Sequence, residues 1–533
     1  MRIRRPLTVG AAVVAVLVLV GLLLAPDEVR RLSPAAFLRI PIDLLVGLGL
    51  MLVLPPKARR IAVPVVGGLL GVLVVLKILS LGFSTVLNRP FDPVADWAFL
   101  GSGATYLRLA NGRTIEIVAI IGAVGLGLLV LALAVVAFRN LAKVSVAHRT
   151  PAAVVLGVLA VGWVVFAITG AQLVTTVPVA ARDGYDRVRQ VDEGIKDQRE
   201  FVATLKSDRF RDVPGDRLLT GLRGKDVVVA IIESYGRTAL DRPELAPQID
   251  QVLADGTARL AHAGYAARSG FLTSPVVGGG SWLADSTLLS GLWVNNQQRY
   301  TTLTHSDRLT LTWAFTKTGG RAVAVMPATV GDFTEAGFFG YDQVYAAKDL
   351  AYKGPLYAFA MMPDQYTLSQ FQQRERAKTA RPPVLAVIPL ISSHAPWEPV
   401  ATLRDWDKVG DGSTFEEKSG AGDSADLVIQ RDPARLRADY RTAITYSLET
   451  LISYVETYGD DNLVLVFLGD HQPAPAVTGP DAGHDVPITI VARDRTVLDR
   501  TASWGWTDGL RPAADAPVWP MDQFRDRFLT AFS

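Results

Sequence analysis

The chain has 533 residues, 49% of them hydrophobic and 20% charged, and its mean hydropathy of +0.25 is too apolar for an ordinary soluble enzyme of this length. The 54 basic and 52 acidic side chains nearly cancel to +2, totals that do not support a broad basic face for nucleic acid. With no cysteine, disulfides, thiolate metal ligands and a cysteine nucleophile are excluded.

Apolar stretches of about bilayer length fall at residues 6–25, 37–55, 61–83, 115–138 and 152–177. Five membrane spans are therefore expected. The first follows three arginines, but its apolar core is long and no small-residue cleavage site follows, so it reads as an anchor rather than a signal peptide. Arg39 and Asp43 interrupt the second stretch, for which a re-entrant or interfacial helix is the alternative. Arg2, Arg4 and Arg5, then Lys57, Arg59 and Arg60, then Arg139, Lys143 and Arg149 mark three cytoplasmic segments. The other two loops mix both signs: Asp27, Glu28, Arg30 and Arg31 in one, Arg89, Asp92, Asp96, Arg108 and Arg113 in the other. An odd number of spans exports the rest of the chain. The expected organisation is a multi-pass cell-membrane region over 1–178, a juxtamembrane linker over 179–214 and an extracytoplasmic domain over 215–533.

From about Leu218 onward, short β-rich runs alternate with longer amphipathic segments, the pattern of an α/β domain with a mostly parallel central sheet. Val227-Val-Val-Ala-Ile-Ile232 stops at Glu233. Val384-Leu-Ala-Val-Ile-Pro-Leu-Ile391 stops at Ser392-Ser393-His394, and Leu463-Val-Leu-Val-Phe-Leu468 stops at Gly469-Asp470-His471. In an open parallel sheet, ligands bind outside the carboxyl ends of the strands, so Glu233, Asp470 and His471 can share one cation. A carboxylate at a strand end also serves as a helix cap, and for Glu233 alone that reading stands beside the other. The helical spacing over Leu436–Tyr458 predicts a helix before the Asp470 strand, and the Gly, Asp and Ser content of 407–432 predicts a surface insertion.

Gly278-Gly-Gly-Ser281 is the remaining constellation. Three glycines let the backbone approach an oxyanion, and the serine after them can open a helix whose N-terminus faces a phosphate. A plain glycine turn followed by a helix cap is the other reading of these four residues.

Taken together, these residues resemble the alkaline phosphatase superfamily, in particular its polytopic lipoteichoic acid synthase-like branch, often labelled sulfatase. The resemblance extends over nearly the whole chain. It implies an alkaline phosphatase/sulfatase-type fold, with Glu233, Ser281, Asp470 and His471 binding one divalent ion, Mn, Mg or Zn, and with Ser281 as the nucleophile. His394, in Ser-His-Ala-Pro-Trp-Glu-Pro, is similar to the family histidine that touches the transferred phosphoryl group, and His484 resembles a further active-site histidine. Trp397, with Phe338, Phe339 and Tyr341, can line a groove for the glycerol or acyl ends, and core packing is the other reading, for at least half of these rings. Only six histidines exist, His148, His262, His305, His394, His471 and His484, so one metal is the economical reading.

The implied activity is transfer of a phosphoglycerol-type head group from a membrane phospholipid donor to an envelope glycan or glycolipid acceptor through a phosphoseryl intermediate. Two departures from the family pattern matter. Serine replaces the more usual threonine, and Phe338–Tyr345 holds no arginine where the family recognises glycerophosphate. A phosphoethanolamine transferase, an extracytoplasmic phosphodiesterase or phosphatase, and a catalytically silent membrane scaffold are the alternatives. Sulfate ester hydrolysis is not expected, because Trp282-Leu283-Ala284-Asp285 does not match the formylglycine motif of sulfatases.

Overall fold

The structure is a computed structural model that describes residues 4–27, 31–87, 90–94, 96–174, 177–178, 180–357, 361–416, 432–479 and 482–533. Arg2, Glu28, Arg30, Arg89 and residues 417–431 of the expected surface insertion lie outside the described residues. The chain divides into two compact units, Met1–Glu200 and Phe201–Ser533.

The first unit is helical: α1 (Arg4–Leu24), α2 (Ile42–Val53), α3 (Pro56–Leu87), α4 (Trp97–Asn111), α5 (Arg113–Ala147), α6 (Arg149–Thr169) and α7 (Asp183–Leu205). Among the described residues, three helical stretches are long and apolar enough to cross a membrane: Pro56–Thr85, Arg113–Ala147 and Arg149–Thr169. Val13–Leu24 and Ile42–Val53 are shorter apolar segments. The stretch expected as the second span differs from that expectation for a local reason. Pro41 precedes α2, and Leu54 is extended in front of Pro55, as steric clash with a following proline ring requires. What remains is a 12-residue helix, roughly 18 Å long and short of a bilayer core.

Small residues bring α3 and α5 together. A Cβ at Gly67 would stand 2.8 Å from the Val135 Cα, and one at Gly71 would stand 3.1 Å from the Leu131 Cα, so this glycine pair permits the close backbone approach on which helices in lipid depend. Lys77, buried within α3, donates to the Leu23 carbonyl at 2.8 Å and pairs with Asp183 at 2.8 Å. Arg39 approaches the same carboxylate at 3.3 Å. The first residue of α7 is thereby tied to α3 and to the segment before α2, its acidic side chain lying where a helix N-terminus favours negative charge.

The second unit is built on a nine-stranded sheet. Its strands are β1 (Asp226–Ile232), β2 (Ala266–Thr273), β3 (Arg321–Met326), β4 (Gln343–Ala346), β5 (Val384–Leu390), β6 (Leu463–Gly469), β7 (Asp485–Ala492), β8 (Thr507–Asp508) and β9 (Val518–Pro520). The order is β8-β2-β7-β6-β1-β5-β3-β4, with β9 also paired to β2. From β6 to β4 every neighbouring pair is parallel. The sheet is mixed: among the described residues five of its eight pairings are parallel, while β7 runs antiparallel to both β6 and β2, and β8 to β2. The physical cause is the connection from β6 to β7: among the described residues it holds only the four-residue helix Pro475–Thr478, too little for the crossover that a parallel return needs.

All seven residues of β1 are buried, as are all seven of β6, which matches their unbroken apolar runs and requires cover on both faces. Val228, Ala230 and Ile232 share one cluster with Ile249, Leu253 and Leu260 of α8 (Ala246–His262) and with Leu448, Leu451 and Val455 of a later helix, Pro433–Tyr458. Each such buried valine, leucine or isoleucine contributes about 1.5–3 kcal/mol. This packing fixes β1 and β6 side by side, from Asp226 opposite Leu463 to Ile232 opposite Gly469. Their carboxyl ends are level, so Glu233 and Asp470 leave the sheet together.

Candidate metal-centred active site

Glu233 is anchored by its own backbone: its N–H donates to the Leu390 carbonyl at 3.1 Å. Its carbonyl accepts from Ser393 Oγ at 2.6 Å, which joins the β1 end to the β5 end. Ser234 follows in the left-handed region at φ 59°, a conformation that costs a non-glycine residue energy and needs support. Support comes from three sides. The Ser234 N–H donates to Asp470 Oδ1 at 2.7 Å, its hydroxyl donates to Glu233 Oε1 at 2.8 Å, and its carbonyl accepts from the Tyr440 hydroxyl at 2.9 Å. The strain is thus spent on aiming two carboxylates at one point.

Ser281 is the first residue of α9 (Ser281–Ser290). Gly278, Gly279 and Gly280 have φ of 74°, 155° and 85°, which only glycine adopts freely, and this turn sets the helix N-terminus against the strand ends. Ser281 Oγ donates to Glu233 Oε2 at 2.9 Å and lies 3.4 Å from His471 Nε2. His471 Nδ1 is 2.8 Å from the Gln472 carbonyl. That contact makes Nδ1 the donor and leaves Nε2 free to act as an acceptor or ligand. Nε2 also lies 3.4 Å from Glu233 Oε1 and 3.4 Å from Asp470 Oδ2. The ligand atoms of Glu233, Asp470 and His471 all fall within 4.8 Å of one another, and all three residues are buried. Two carboxylates, one imidazole and a serine oxygen converging in a buried site form a donor set that fits one divalent cation, whether oxygen-loving or zinc.

The electrostatics agree with such a site. Burial pushes the Asp470 carboxyl up to about 7, and the charge of Glu233 adds to the shift. Burial also works against ionised Glu233, but the imidazoles of His471 and His394 and the hydrogen bond from Ser234 outweigh it and hold that carboxyl at about 2. For His471, burial lowers the pKa, yet the charges of Asp470 and Glu233 win and raise it. A buried excess of negative charge is thus partly neutralised by protons that a cation can replace.

His394 is close enough for its charge to act on Glu233, and its Nδ1 lies 2.7 Å from the Ala395 carbonyl. His484 is held from the β2 side, with Nδ1 3.1 Å from the Ser274 carbonyl, while Ser274 Oγ donates to the Asp470 carbonyl at 2.6 Å. Trp397 is only 3% exposed and packs edge-on against Tyr440 at 5.7 Å. Phe339 and Tyr341 stack at 5.8 Å, and Phe338 meets Phe339 edge-on at 4.9 Å.

Two residues that carry the site are not singled out by the sequence patterns above. Asp364 opens the buried helix α10 (Asp364–Phe371) and clasps the β5 loop. Its Oδ1 accepts from the Ser392 N–H at 2.9 Å, its N–H donates to Ser392 Oγ at 2.9 Å, and its Oδ2 accepts from Ser447 Oγ at 2.6 Å. Asp285 stands one helical turn after Ser281, on the same face. Its Oδ1 is buried without a hydrogen-bond partner among the described residues, and burial, followed by the charges of Asp470 and Glu233, pushes its pKa well up. The spacing of four from Ser281 was the available signal for Asp285. Nothing local in the sequence marks Asp364.

No protein-family model and no curated protein matches the sequence. Solved structures do. An integral membrane lipooligosaccharide phosphoethanolamine transferase A from Neisseria meningitidis is 12% identical, with 94% of this chain and 90% of that one covered and a TM-score of 0.45. A lipoteichoic acid synthase from Listeria monocytogenes is 14% identical over 60% of this chain and 74% of its own, at 0.38. A Streptococcus pyogenes phosphoglycerol transferase, solved with sn-glycerol-1-phosphate, is 13% identical over 62% and 91%, at 0.37.

Proposed function

We propose that this chain is a membrane-anchored, metal-dependent phosphotransferase of the lipoteichoic acid synthase-like group. It moves a phosphoglycerol-type head group from a phospholipid to an envelope glycan or glycolipid. The observation that carries the reading is the Ser281 hydroxyl at a helix N-terminus, 2.9 Å from Glu233 and 3.4 Å from His471, inside the cluster completed by Asp470.

Glu233, Asp470, His471 and Ser281 would hold one divalent cation, which would lower the pKa of the serine hydroxyl and neutralise a phosphoryl oxygen. Glu233 accepts the hydrogen bond that orients Ser281 Oγ. The N-terminal amides of α9 face the charge that develops on the phosphoryl group. In the first displacement Ser281 Oγ forms a bond to phosphorus, the phosphorus–oxygen bond to diacylglycerol breaks, and the serine proton leaves with the departing alcohol. In the second, an acceptor hydroxyl attacks the phosphoserine, Ser281 regains a proton, and a new phosphodiester results. His394 and His484 hold the phosphoryl oxygens in place through both steps.

The topology belongs to the same proposal. The basic segment around residues 139–149 inside, followed by the apolar helix Arg149–Thr169, which is long enough to cross once, would put the catalytic unit outside the cytoplasmic membrane, in the compartment of its lipid donor. The test is incubation of the purified protein with labelled phosphatidylglycerol and phosphatidylethanolamine side by side. Diacylglycerol release from phosphatidylglycerol, with the head group appearing on an acceptor, is the expected result, whereas the same from phosphatidylethanolamine moves the head group to phosphoethanolamine. Release from neither lipid, together with rapid turnover of a soluble phosphomonoester, replaces the transferase with a phosphatase.

A further inference from the structure

Among the described residues, four that are not glycine have φ in the left-handed region: Leu219, Ser234, Ala351 and Trp397. Two of the four touch the same side chain. Tyr440, fully buried on the helix Pro433–Tyr458, donates its hydroxyl to the Ser234 carbonyl at 2.9 Å and meets the Trp397 ring edge-on at 5.7 Å. Each of these strained residues is joined to a candidate residue of the site. Ser234 comes directly after Glu233. Trp397, at φ 64°, closes a turn in which its N–H donates to the His394 carbonyl at 3.2 Å.

A left-handed serine or tryptophan is unfavourable unless its surroundings hold it. If Ser234 relaxed to an ordinary φ, its N–H would leave Asp470 Oδ1 and its hydroxyl would leave Glu233 Oε1, bonds of 2.7 Å and 2.8 Å that aim the two carboxylates. The Gly236 N–H also donates to the Ser234 carbonyl at 3.0 Å, but it belongs to the same turn and can move with it. The Tyr440 hydroxyl comes from outside that turn. Burial pushes its pKa up, which keeps it protonated and donating. Its helix is fixed by Ala443, Ile444, Leu448 and Leu451 in the core shared with β1, so the hydroxyl is presented from a rigid element. The same helix holds the second turn once more, where Arg435 pairs with Glu398 at 3.2 Å.

We infer that Tyr440 is a positioning residue that serves both halves of the site through two separable contacts. Its hydroxyl holds Ser234 and, through Ser234, the Glu233 and Asp470 carboxylates. Its ring holds Trp397 and, through that turn, His394. Burial closes Tyr440 to substrate, so it acts only through these neighbours. The inference deepens the metal-dependent reading above and rests on it for what the two carboxylates hold.

The test uses the full chain in detergent, titrated calorimetrically with manganese ions and with zinc ions. Tyr440→Phe keeps the ring and deletes the hydroxyl, so cation affinity should fall about 10-fold, the lower end of what losing an outer partner of metal ligands costs. Glycine takes the left-handed conformation without support. In a Ser234→Gly background the same Tyr440→Phe change should therefore cost less than about twofold, the mark of two residues acting as one unit. A tyrosine that only stabilises the fold would lower the melting temperature and leave both affinities alone. The ring contact is read by NMR of isotope-labelled histidine, with the His394 signal assigned from His394→Gln. That signal should stay in place in Tyr440→Phe and move in Tyr440→Leu. If Tyr440→Leu does not fold, Trp397→Phe, which withdraws the other ring, takes its place.

Unchanged affinity in Tyr440→Phe, an equal loss in both backgrounds, or a His394 signal indifferent to loss of the ring contact overturns the inference. If Tyr440→Phe does not fold, the Ser234→Gly/Tyr440→Phe double variant must, and failure of both also overturns it. A wild type that takes up neither ion sinks the metal-dependent reading and the hydroxyl contact with it. Wild-type binding that Tyr440→Phe leaves unchanged sinks this inference alone.

Discussion

Ser281 Oγ donates a 2.9 Å hydrogen bond to Glu233 Oε2 across 48 positions of sequence, so the first residue of a helix is oriented by the first residue beyond a strand. Removing the hydroxyl removes the proposed nucleophile and one candidate ligand together. Ser281→Ala should lower turnover by roughly 10³-fold or more, as nucleophile deletions do. Protein trapped with substrate should carry a phosphoryl adduct on the peptide spanning Gly278 to Ser286 in the wild type only. An adduct at Ser286 or Thr287 would move the nucleophile; both hydroxyls donate back to carbonyls of α9, those of Trp282 and Leu283.

The pH dependence of the metal-free protein follows from Asp470. Its pKa in the fold is about 7 against an ordinary 3.8, so between those values the folded state holds a proton that the unfolded state has lost. The sign is therefore unfavourable as pH rises: the contribution of Asp470 is fully present below about 4 and fades as pH climbs through 7. Glu233, held at about 2 against 4.5, works the other way, and its contribution is lost only as pH falls through 2. Between pH 5 and 8 the raised Asp470, His471 and Asp285 all act in the direction of Asp470, and the metal-free protein should melt at a lower temperature at pH 8 than at pH 5.5. An added divalent cation should bind more tightly and raise the melting temperature more at pH 8, because it no longer competes with the proton. A cation effect that is equal at the two pH values would contradict this arrangement.

The parts of the site legible in the sequence are those where chemistry interrupts a regular pattern. Apolar runs ending abruptly at Glu233, at His394 and at Asp470-His471 betray strand ends, and Gly278-Gly279-Gly280 announces a turn before Ser281. Pairing direction is not written locally. Nothing in Asp485–Ala492 says that β7 runs against its neighbours, because a strand buried on both faces looks the same in either direction. Trp397 shows a similar limit, since an aromatic beside a histidine reads equally as groove or core, and it is the Tyr440 helix that buries it. Asp364 is invisible for another reason: its partners Ser392 and Ser447 become neighbours only when the β5 loop and Pro433–Tyr458 are packed together.

At the opposite end of β1 a second buried carboxylate does structural work. Asp226 receives Arg381 through contacts of 2.7 Å and 2.5 Å, Arg376 at 3.2 Å and the Val384 N–H at 3.0 Å. Burial raises its pKa, but these partners outweigh burial and hold it low, so its contribution to stability is lost as pH falls below the ordinary carboxylate range. Asp226→Ala would leave two guanidinium groups without their shared partner. The expected loss is about 3–5 kcal/mol, seen in a denaturant titration as a lower midpoint with an unchanged slope.

Asp364→Ala should separate positioning from stability. It deletes the acceptor for the Ser392 N–H and for Ser447 Oγ, each buried, at a cost of about 1–3 kcal/mol per unsatisfied group. Ser392 precedes Ser393, whose hydroxyl holds the Glu233 carbonyl, so loosening the loop also displaces His394. Among folded molecules, kcat should fall while the affinity for the divalent cation stays within about twofold, because none of the four candidate ligands touches Asp364. Equal losses of metal binding and of turnover would assign Asp364 to the metal cluster instead.

Asp285 is the sharper test of the site's charge balance. It lies near Asp470 and Glu233, has an Oδ1 without a partner among the described residues, and is pushed well above its ordinary pKa first by burial and then by those two charges. In the absence of a cation such a carboxyl opposes ionisation of its neighbours, whereas beside a bound dication it becomes a favourable outer charge. Asp285→Asn keeps the shape and removes the charge. The metal-free variant should be at least as stable as the wild type, because like-charge repulsion is relieved. Its affinity for the divalent cation should fall by about 10- to 100-fold, the usual effect of altering a group just outside the ligands. A calorimetric titration gives both numbers on one preparation, the first from thermal unfolding and the second from the binding isotherm. Unchanged affinity would mean that Asp285 faces away from the cation and serves α9 alone, and a large loss of metal-free stability would mean that its carboxyl is held by a contact that an amide cannot make.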